Sequence, residues 1–324
     1  MMNKIAILGS GAMGTACASV LVENKQDVVI YGINNNELND LKSGYNQKYF
    51  GNKFISKFKV SFDLKEALRD ANFVVIAIPT KFIEDVFAQI VSLINKKAII
   101  INLSKGFWPN SHEFVHERME KIAASNKKVL GVVSMIGPSF AIDIVNKNIT
   151  VINAVSKDIK LAKKVKNIFA NDWFGISIND DVIGAEIGST FKNILAIGSG
   201  LVAGMGYSIN TQASMLTYGL KEIKKYALYR KAKLETIYDL CSLGDLILTG
   251  LSEKSRNYQY GLHFFNDKID DSKITVEGLY ALKYIYNELK NIKELKLPLI
   301  ESIYEIIYNK KNPDTIIKQL LKKI

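Results

Sequence analysis

A glycine-rich segment near the N-terminus has the spacing of a phosphate-binding loop. Its residues, in order, are Gly9, Ser10, Gly11, Ala12, Met13 and Gly14, which form a GxGxxG motif. In such a motif the first glycine permits a tight turn, the second lets the backbone approach a pyrophosphate, and the third lets helix and strand pack closely. An apolar run precedes the motif and a helical pattern follows it, as dinucleotide binding requires. We therefore predict a site for NAD(H) or NADP(H), the alternative being a glycine-rich turn that only packs.

The residues after the second apolar run do not indicate which cofactor binds. A carboxylate at this point is typical of NAD-selective folds, and a nearby arginine is typical of NADP-selective ones. The run here ends with the sequence Tyr31-Gly32-Ile33-Asn34-Asn35-Asn36, which contains neither.

Two lysines occupy positions where their charge could do chemistry. Lys105 follows an apolar run, so we expect it at the carboxyl edge of a sheet, where open α/β sheets hold ligands. The alternative for Lys105 is an ordinary solvated loop lysine. Lys192, beside Asn193, falls in an apolar helical pattern, where an unpaired ammonium would be costly to bury. A lysine buried there therefore needs either a carboxylate partner or a catalytic role. A desolvated lysine can act as a general acid or base near neutral pH.

Asp245 is the candidate partner for that lysine, because it is a lone carboxylate in an apolar segment. The cluster Ser255-Arg256-Asn257 follows, and its polar and fork-shaped donors suit phosphate oxygens. A helix cap followed by a surface arginine would explain both features without any ligand.

The segment His112-Glu113-Phe114-Val115-His116 is a literal HExxH. On a helix this spacing puts both histidines on one face for zinc, with the glutamate as general base. The charged residues that follow are instead typical of a solvated amphipathic helix, and the sequence has only 3 histidines. We therefore predict no metal site.

The elements that must position these residues change character along the chain. Strands are predicted at 4–8, 28–31, 73–78, 98–103, 129–135, 149–154 and 174–178, and helices between them at 63–70, 81–94, 112–125 and 159–170. This alternation is typical of a parallel sheet covered on both faces. Beyond residue 180 helices alone are predicted, at 185–204, 211–229, 234–240, 277–289 and 299–309. The stretch 194–206 is apolar nearly all round, which indicates a buried central helix.

Composition excludes several classes of protein. The 324 residues are 48% hydrophobic and 23% charged, as in globular chains, and the 2 cysteines cannot form a disulfide scaffold. We read no signal peptide and no membrane span, and we expect a cytoplasmic protein. The net charge of +11 is spread along the chain, so we predict no nucleic-acid partner.

Several motifs in fixed order resemble the NAD(P)-dependent glycerol-3-phosphate dehydrogenases of the bacterial type, over nearly the whole chain. Besides the glycine motif they are Ser104-Lys105-Gly106, Gly137-Pro138-Ser139-Phe140-Ala141, Lys192-Asn193, Leu243-Gly244-Asp245-Leu246, Ser255-Arg256-Asn257 and Val276-Glu277-Gly278. The resemblance implies an N-terminal Rossmann-type doubly wound domain, 1–180, and a C-terminal all-helical substrate domain, 181–324, with catalysis in the cleft between them. It also implies reversible reduction of dihydroxyacetone phosphate to sn-glycerol 3-phosphate, which supplies phospholipid synthesis. We further expect a homodimer.

By that resemblance Lys192 is the catalytic acid/base, Asp245 orients it, and Lys105 touches both cofactor and substrate. The implied substrate contacts are Lys105, Gly137, Ser139, Lys192, Asp245, Ser255, Arg256 and Asn257. The implied cofactor contacts, besides the glycine motif, are Ile33, Lys105, Ala141, Arg256 and Glu277. Ile33 stands where many members carry a basic residue, which argues against strong NADP preference.

Two other functions compete with this interpretation. One is a two-domain dehydrogenase with a helical substrate domain that acts on a hydroxy acid or a ketopantoate-like substrate. The other is a non-catalytic dinucleotide sensor or basic nucleic-acid binder, which would consume no hydride.

Overall fold

The computed structural model describes residues 2–265, 276–292 and 294–314. The chain divides into two compact units, Met1–Val182 and Ile183–Ile324. The sequence-based domain 181–324 therefore includes stretches that lie outside the described residues.

The first unit is built on one eight-stranded sheet. Its strands are β1 (Lys4–Leu8), β2 (Asp27–Tyr31), β3 (Lys59–Ser61), β4 (Phe73–Ile76), β5 (Ala98–Asn102), β6 (Val129–Ile136), β7 (Thr150–Val155) and β8 (Phe174–Asn179). The order is β3-β2-β1-β4-β5-β6-β7-β8, and only the β6/β7 pair is antiparallel. The chain order reverses between β1 and β4, which creates the crevice where doubly wound sheets bind ligands.

Both faces of this sheet are buried, which confirms the predicted α/β class. Within β1, Ile5 and Ile7 face one apolar core while Ala6 and Leu8 face the other, because successive side chains alternate across a strand. Seven of the eight strands are therefore rich in apolar residues, which explains why they could be predicted. The strand that was not predicted is β3, Lys59–Ser61, a three-residue edge strand without an apolar run.

Helices flank the strands of the first unit. They are α1 (Ala12–Glu23), α2 (Asn35–Ser43), α3 (Gln47–Phe50), α4 (Leu64–Leu68), α5 (Ile83–Leu93), α6 (Val115–Ala123), α7 (Ala141–Val145) and α8 (Ile159–Phe169). A 3₁₀ turn at Thr80–Phe82 precedes α5. The predicted helix 112–125 is wrong at its start, because the helix begins only at Val115.

The described part of the second unit consists of helices joined by turns and loops, without a strand. Its helices are α9 (Val182–Gly204), which begins at the boundary, α10 (Ile209–Tyr229), α11 (Leu234–Ile237), α12 (Asp245–Gly250), α13 (Arg256–Leu262), α14 (Glu277–Leu289) and α15 (Pro298–Ile307). Residues 194–202 are buried, as predicted, whereas the rest of the predicted buried stretch, 203–206, is half-buried or exposed. The backbones of α9 and α13 meet closely: a Cβ on Gly200 would lie 2.1 Å from the Tyr258 carbonyl oxygen, and one on Gly261 would lie 2.1 Å from that of Ile197.

A buried carboxylate holds the start of α15. Glu222 of α10 accepts the backbone N–H of Leu299 at 2.7 Å and that of Ile300 at 3.0 Å, two donors that a helix N-terminus leaves unsatisfied. Burial raises the pKa of Glu222 to about 7, against the lowering effect of both N–H groups and of Lys225, while Glu301 adds to the rise.

The raised pKa of Glu222 predicts a pH-dependent stability. Because the folded chain binds this proton more tightly than the unfolded chain, the contribution is full below pH 4.5 and is lost as the pH rises to about 7. We expect the free energy of unfolding to fall by about 3 kcal/mol over that window. Urea unfolding at pH 5 and pH 8 measures this loss. In Glu222→Gln, which cannot ionise, the loss should be absent; an equal loss in both proteins would contradict the assignment.

Candidate functional site

The glycine motif forms a tight turn between β1 and α1. Gly9 has a φ of +126°, and a Cβ there would lie 2.4 Å from the Ala77 carbonyl oxygen. A Cβ on Gly14 would lie 2.1 Å from the Gly9 carbonyl oxygen. Both positions therefore admit only glycine without movement of the backbone, and the turn directs the start of α1 to the crevice at the β1/β4 switch point.

The start of α1 fits a pyrophosphate. Gly11 is its N-cap residue, no side chain caps the helix, and its first turn contains no acidic residue. At Gly11 an added Cβ would find only the Tyr49 hydroxyl, 3.9 Å away, so the space beside this residue is open. Backbone N–H groups and the helix dipole favour an anion at such a terminus. Ala12 and Met13 begin the helix here, and Ile33, after β2, is 92% exposed.

Lys105 lies at the carboxyl ends of β4 and β5, as its position in the sequence predicts. The Asn102 side chain fixes Ser104, the residue before Lys105. It accepts from the Ser104 N–H and donates to the Ser104 carbonyl oxygen, both at 2.9 Å. The Ser104 hydroxyl donates to the Ile78 carbonyl oxygen at 2.7 Å, and the Thr80 hydroxyl donates to that of Lys105 at 3.1 Å. These bonds fix the backbone that carries the lysine, which is itself half-buried.

The HExxH segment has a structural explanation instead of a metal site. His112 and Glu113 precede α6, so the two histidines do not share a helical face. His116 is fully buried, and its Nδ1 lies 2.8 Å from the hydroxyl of Ser134, which also accepts from Asn102 at 3.0 Å. The histidine thus extends the hydrogen-bond network that fixes the Lys105 loop. In the described ranges no three His, Cys, Asp or Glu residues are grouped to hold a metal ion.

The segment after β6 contains three further predicted residues. A Cβ on Gly137 would lie 2.8 Å from the Cβ of Ile152, so a side chain is excluded there. The Ser139 hydroxyl donates to the Gly137 carbonyl oxygen at 3.0 Å, which closes the turn before Ala141 begins α7. All three residues lie at the carboxyl end of β6, the sheet edge that also carries Lys105.

In the second unit, Lys192 and Asp245 lie together. The Lys192 ammonium donates to Asp245 Oδ1 at 2.6 Å and to the Thr249 hydroxyl at 3.0 Å, and that hydroxyl donates to Asp245 Oδ1 at 3.1 Å. Lys192 is 6% exposed and Asp245 is 2% exposed. A π-helical turn, Leu240–Gly244, leads into α12 and brings Asp245 to this position. The carboxylate favours the protonated form of the lysine.

A second polar cluster forms around Asn193, the next residue of α9. Asn257 donates to the Asn193 side-chain oxygen at 2.9 Å and accepts the Gly278 N–H at 3.0 Å, while Asn193 donates to Glu277 at 3.4 Å. These bonds engage both polar atoms of the Asn257 amide within the unit. The three residues of the predicted cluster at 255–257 therefore differ in how far their side chains are engaged by hydrogen bonds within the unit.

Ser255 and Arg256 show that difference. The Ser255 hydroxyl accepts the Tyr258 N–H at 3.3 Å and caps α13, which leaves its own O–H to donate to a ligand. Arg256 is the first residue of α13 and is exposed, and its guanidinium remains the group in the cluster best suited to an anion.

Sequence reasoning missed three residues of these networks. Thr249 lies one helical turn after Asp245, and this i, i+4 spacing could have identified it. Asn102 bonds to Ser104 two residues on, but its link to Ser134, like the link of Glu37 to Ser10, joins distant segments, and no local pattern indicates such contacts. Glu37 accepts a hydrogen bond from Ser10 of the glycine loop.

Comparison with known proteins identifies relatives of both units. The model of the NAD-dependent glycerol-3-phosphate dehydrogenase N-terminus matches residues 4–162. The model of the NAD-dependent glycerol-3-phosphate dehydrogenase C-terminus matches residues 181–318.

Whole-chain relatives agree with these matches. The chain is 46% identical to a glycerol-3-phosphate dehydrogenase [NAD(P)+] of Mycoplasma mobile, over 94% of this chain and 92% of that protein. It is 34% identical to the protein of the same name from Limosilactobacillus reuteri, over 100% and 98%. Among solved structures, glycerol-3-phosphate dehydrogenase from Coxiella burnetii aligns over 99% of both chains with a TM-score of 0.87 and 27% identity.

Proposed function

The chain belongs to the NAD-dependent glycerol-3-phosphate dehydrogenase family, and from this premise we propose that it interconverts dihydroxyacetone phosphate and sn-glycerol 3-phosphate with NAD(P)H. The observation that carries the proposal is the buried cluster of Lys192, Asp245 and Thr249. Reduction of a carbonyl needs a proton donor, and this cluster holds a lysine amine 2.6 Å from a carboxylate inside the helical unit.

The proposed roles follow from the contacts of each residue. When bound, the nicotinamide cofactor supplies the hydride. Lys192 donates a proton to the carbonyl oxygen as negative charge develops there, and general acid catalysis of this kind contributes about 10²–10⁴-fold. Asp245 and Thr249 orient the ammonium and favour its charged form. In the reverse direction the neutral lysine accepts the proton from the alcohol.

The remaining predicted residues have supporting roles in this proposal. The glycine loop holds the cofactor pyrophosphate, with Ile33, Ala141, Arg256 and Glu277 as further expected cofactor contacts. Gly137 is an expected substrate contact. Lys105 binds both cofactor and substrate, and Ser139 binds the substrate. In the second unit Arg256 and Asn257 bind the substrate phosphate, and Ser255 is a further substrate contact. Ser255 and Asn257 also hold α13 in place through the bonds described above.

Arg256→Ala is expected to raise the KM for dihydroxyacetone phosphate by about 10–100-fold, because a charged hydrogen bond is worth about 1.5–3 kcal/mol. Steady-state kinetics at saturating NADH would measure this. Arg256→Lys should recover the KM only in part, since an ammonium lacks the planar fork. Lys254→Ala, which removes a neighbouring exposed charge, is the control and should leave the KM unchanged. A normal KM in Arg256→Ala would remove this residue from the phosphate site.

The reaction itself is tested by absorbance at 340 nm with dihydroxyacetone phosphate and either NADH or NADPH. Oxidation that requires the substrate phosphate supports the proposal. A folded protein that binds nucleotide but reduces only a hydroxy-acid or ketopantoate-like partner would support the rival dehydrogenase.

We also propose that the enzyme is a cytoplasmic homodimer that supplies glycerol 3-phosphate for phospholipid synthesis and has no nucleic-acid partner. Within the described part of the chain, no helix has the length and apolar character needed to cross a bilayer. Sedimentation of the purified protein would test the oligomeric state.

A further inference from the structure

Glu37 is a buried carboxylate beside the glycine loop that the reaction does not use. It lies in the first turn of α2, only 8% exposed. Its place in the sequence is near the spacing of about 20 residues at which dinucleotide-binding folds carry an acidic residue for the ribose. The strand itself ends in residues without charge, so the position was not evident from the pattern.

Two contacts hold the carboxylate in place. The Ser10 hydroxyl donates to Oε2 at 2.6 Å, and the Lys48 ammonium donates to Oε1 at 2.7 Å. Ser10 is itself anchored, because the fully buried Asn46 donates to its carbonyl oxygen at 2.8 Å. The carboxylate is therefore fixed to the loop that would bind the cofactor.

The end of β2 makes room for this arrangement. A Cβ on Gly32 would lie 2.7 Å from the Ser10 hydroxyl oxygen, so a larger residue there would displace Ser10. The absence of a side chain at Gly32 lets Ser10 and Glu37 meet at the place where an acidic residue usually ends the second strand. Glu37 on α2 thus supplies the negative charge that the end of β2 lacks.

The two charges of the pair differ in how firmly they are held. The Glu37 side chain is 9% exposed, whereas that of Lys48 is 60% exposed. Water screens the lysine and its long side chain is free to leave, so the salt bridge cancels the carboxylate only in part. A fixed negative charge accepts a hydrogen bond from a ribose hydroxyl and repels a phosphate.

We propose that Glu37 makes the enzyme prefer NAD(H) over NADP(H), by accepting from the adenosine 2′-hydroxyl and repelling the 2′-phosphate. This inference rests on the proposed function only in that the glycine loop must bind the dinucleotide. Glu37 is thus the residue that sets the preference between NAD(H) and NADP(H).

The test is the ratio of dissociation constants for NADH and NADPH, measured by calorimetry, together with kcat/KM for each. The wild type should bind NADH more tightly. Glu37→Gln keeps the size and an acceptor but loses the charge, and it should shift the ratio toward NADPH by about tenfold or more. Asp40→Asn is the matched control, since it removes a carboxylate one turn further along α2 and should leave the ratio unchanged.

A double variant distinguishes the effect of the Glu37 charge from that of the Lys48 charge. In Glu37→Gln with Lys48→Met neither charge remains, and the ratio should still shift toward NADPH. If Lys48 instead bound the 2′-phosphate, this variant would lose NADPH affinity, and the proposal would be overturned. An unchanged ratio in Glu37→Gln, or a wild type that prefers NADPH, would also overturn it. A folded wild type that binds neither nucleotide would refute the proposed function, and this inference with it.

Discussion

Lys192→Ala is expected to lower kcat for dihydroxyacetone phosphate reduction by about 10²–10⁴-fold, the usual contribution of a general acid. The dissociation constant for NADH should change little, because Asp245 and Thr249 engage the Lys192 ammonium within the helical unit, whereas the glycine loop belongs to the first unit. Single-turnover oxidation of NADH, followed at 340 nm, measures the chemical step directly. Calorimetry measures nucleotide binding by the same preparation.

The alanine variant also leaves Asp245 buried without the lysine, which costs about 3–5 kcal/mol for pairs of this kind. A loss of activity could then reflect partial unfolding. The control is Lys192→Met with Asp245→Leu, because replacing both members of a buried ion pair by apolar residues is often neutral for stability. This double variant should unfold near the wild-type urea midpoint and still lack the chemical step. Near-normal turnover in either folded variant would show that another group donates the proton.

The strands could be predicted from the sequence because a parallel sheet covered on both faces requires continuous apolar runs. Helix α14 was predicted with its observed bounds, Glu277–Leu289, since its apolar residues recur at the helical period. Helix α2 was missed because most of its residues are polar and it packs through few of them, among them Leu38 and Leu41. The sequence signal for this helix is the N-cap residue Asn34 more than any apolar pattern.

The candidate site was predictable to the extent that burial of a charge demands a partner. A lysine in an apolar helix and an aspartate in an apolar segment point to each other on this ground, and the structure places Lys192 and Asp245 2.6 Å apart. The Ser10–Glu37 contact was not predictable in this way. It depends on the missing side chain at Gly32 and on the path of the chain between β2 and α2, which only the folded structure specifies.

Gly11→Ala is expected to weaken NADH binding without weakening the fold. Gly11 has a φ of −70° and a ψ of −177°, which alanine adopts freely, and the nearest atom to an added Cβ is the Tyr49 hydroxyl at 3.9 Å. The protein therefore tolerates the methyl group. The cofactor does not, if the pyrophosphate approaches the backbone here. An extra methyl group in a close contact costs about 1–3 kcal/mol, which corresponds to about 5–150-fold in the dissociation constant.

Gly14→Ala is the comparison variant, because it is expected to disturb the fold of the turn. A methyl group at Gly14 would lie 2.1 Å from the Gly9 carbonyl oxygen, so the turn itself must shift and the urea midpoint should fall. Gly11→Ala should keep the wild-type midpoint while its dissociation constant for NADH rises. Normal nucleotide affinity in Gly11→Ala would mean that the open space beside Gly11 is not where the pyrophosphate binds. A lowered midpoint would mean that this glycine serves packing, as the other two glycines of the motif do.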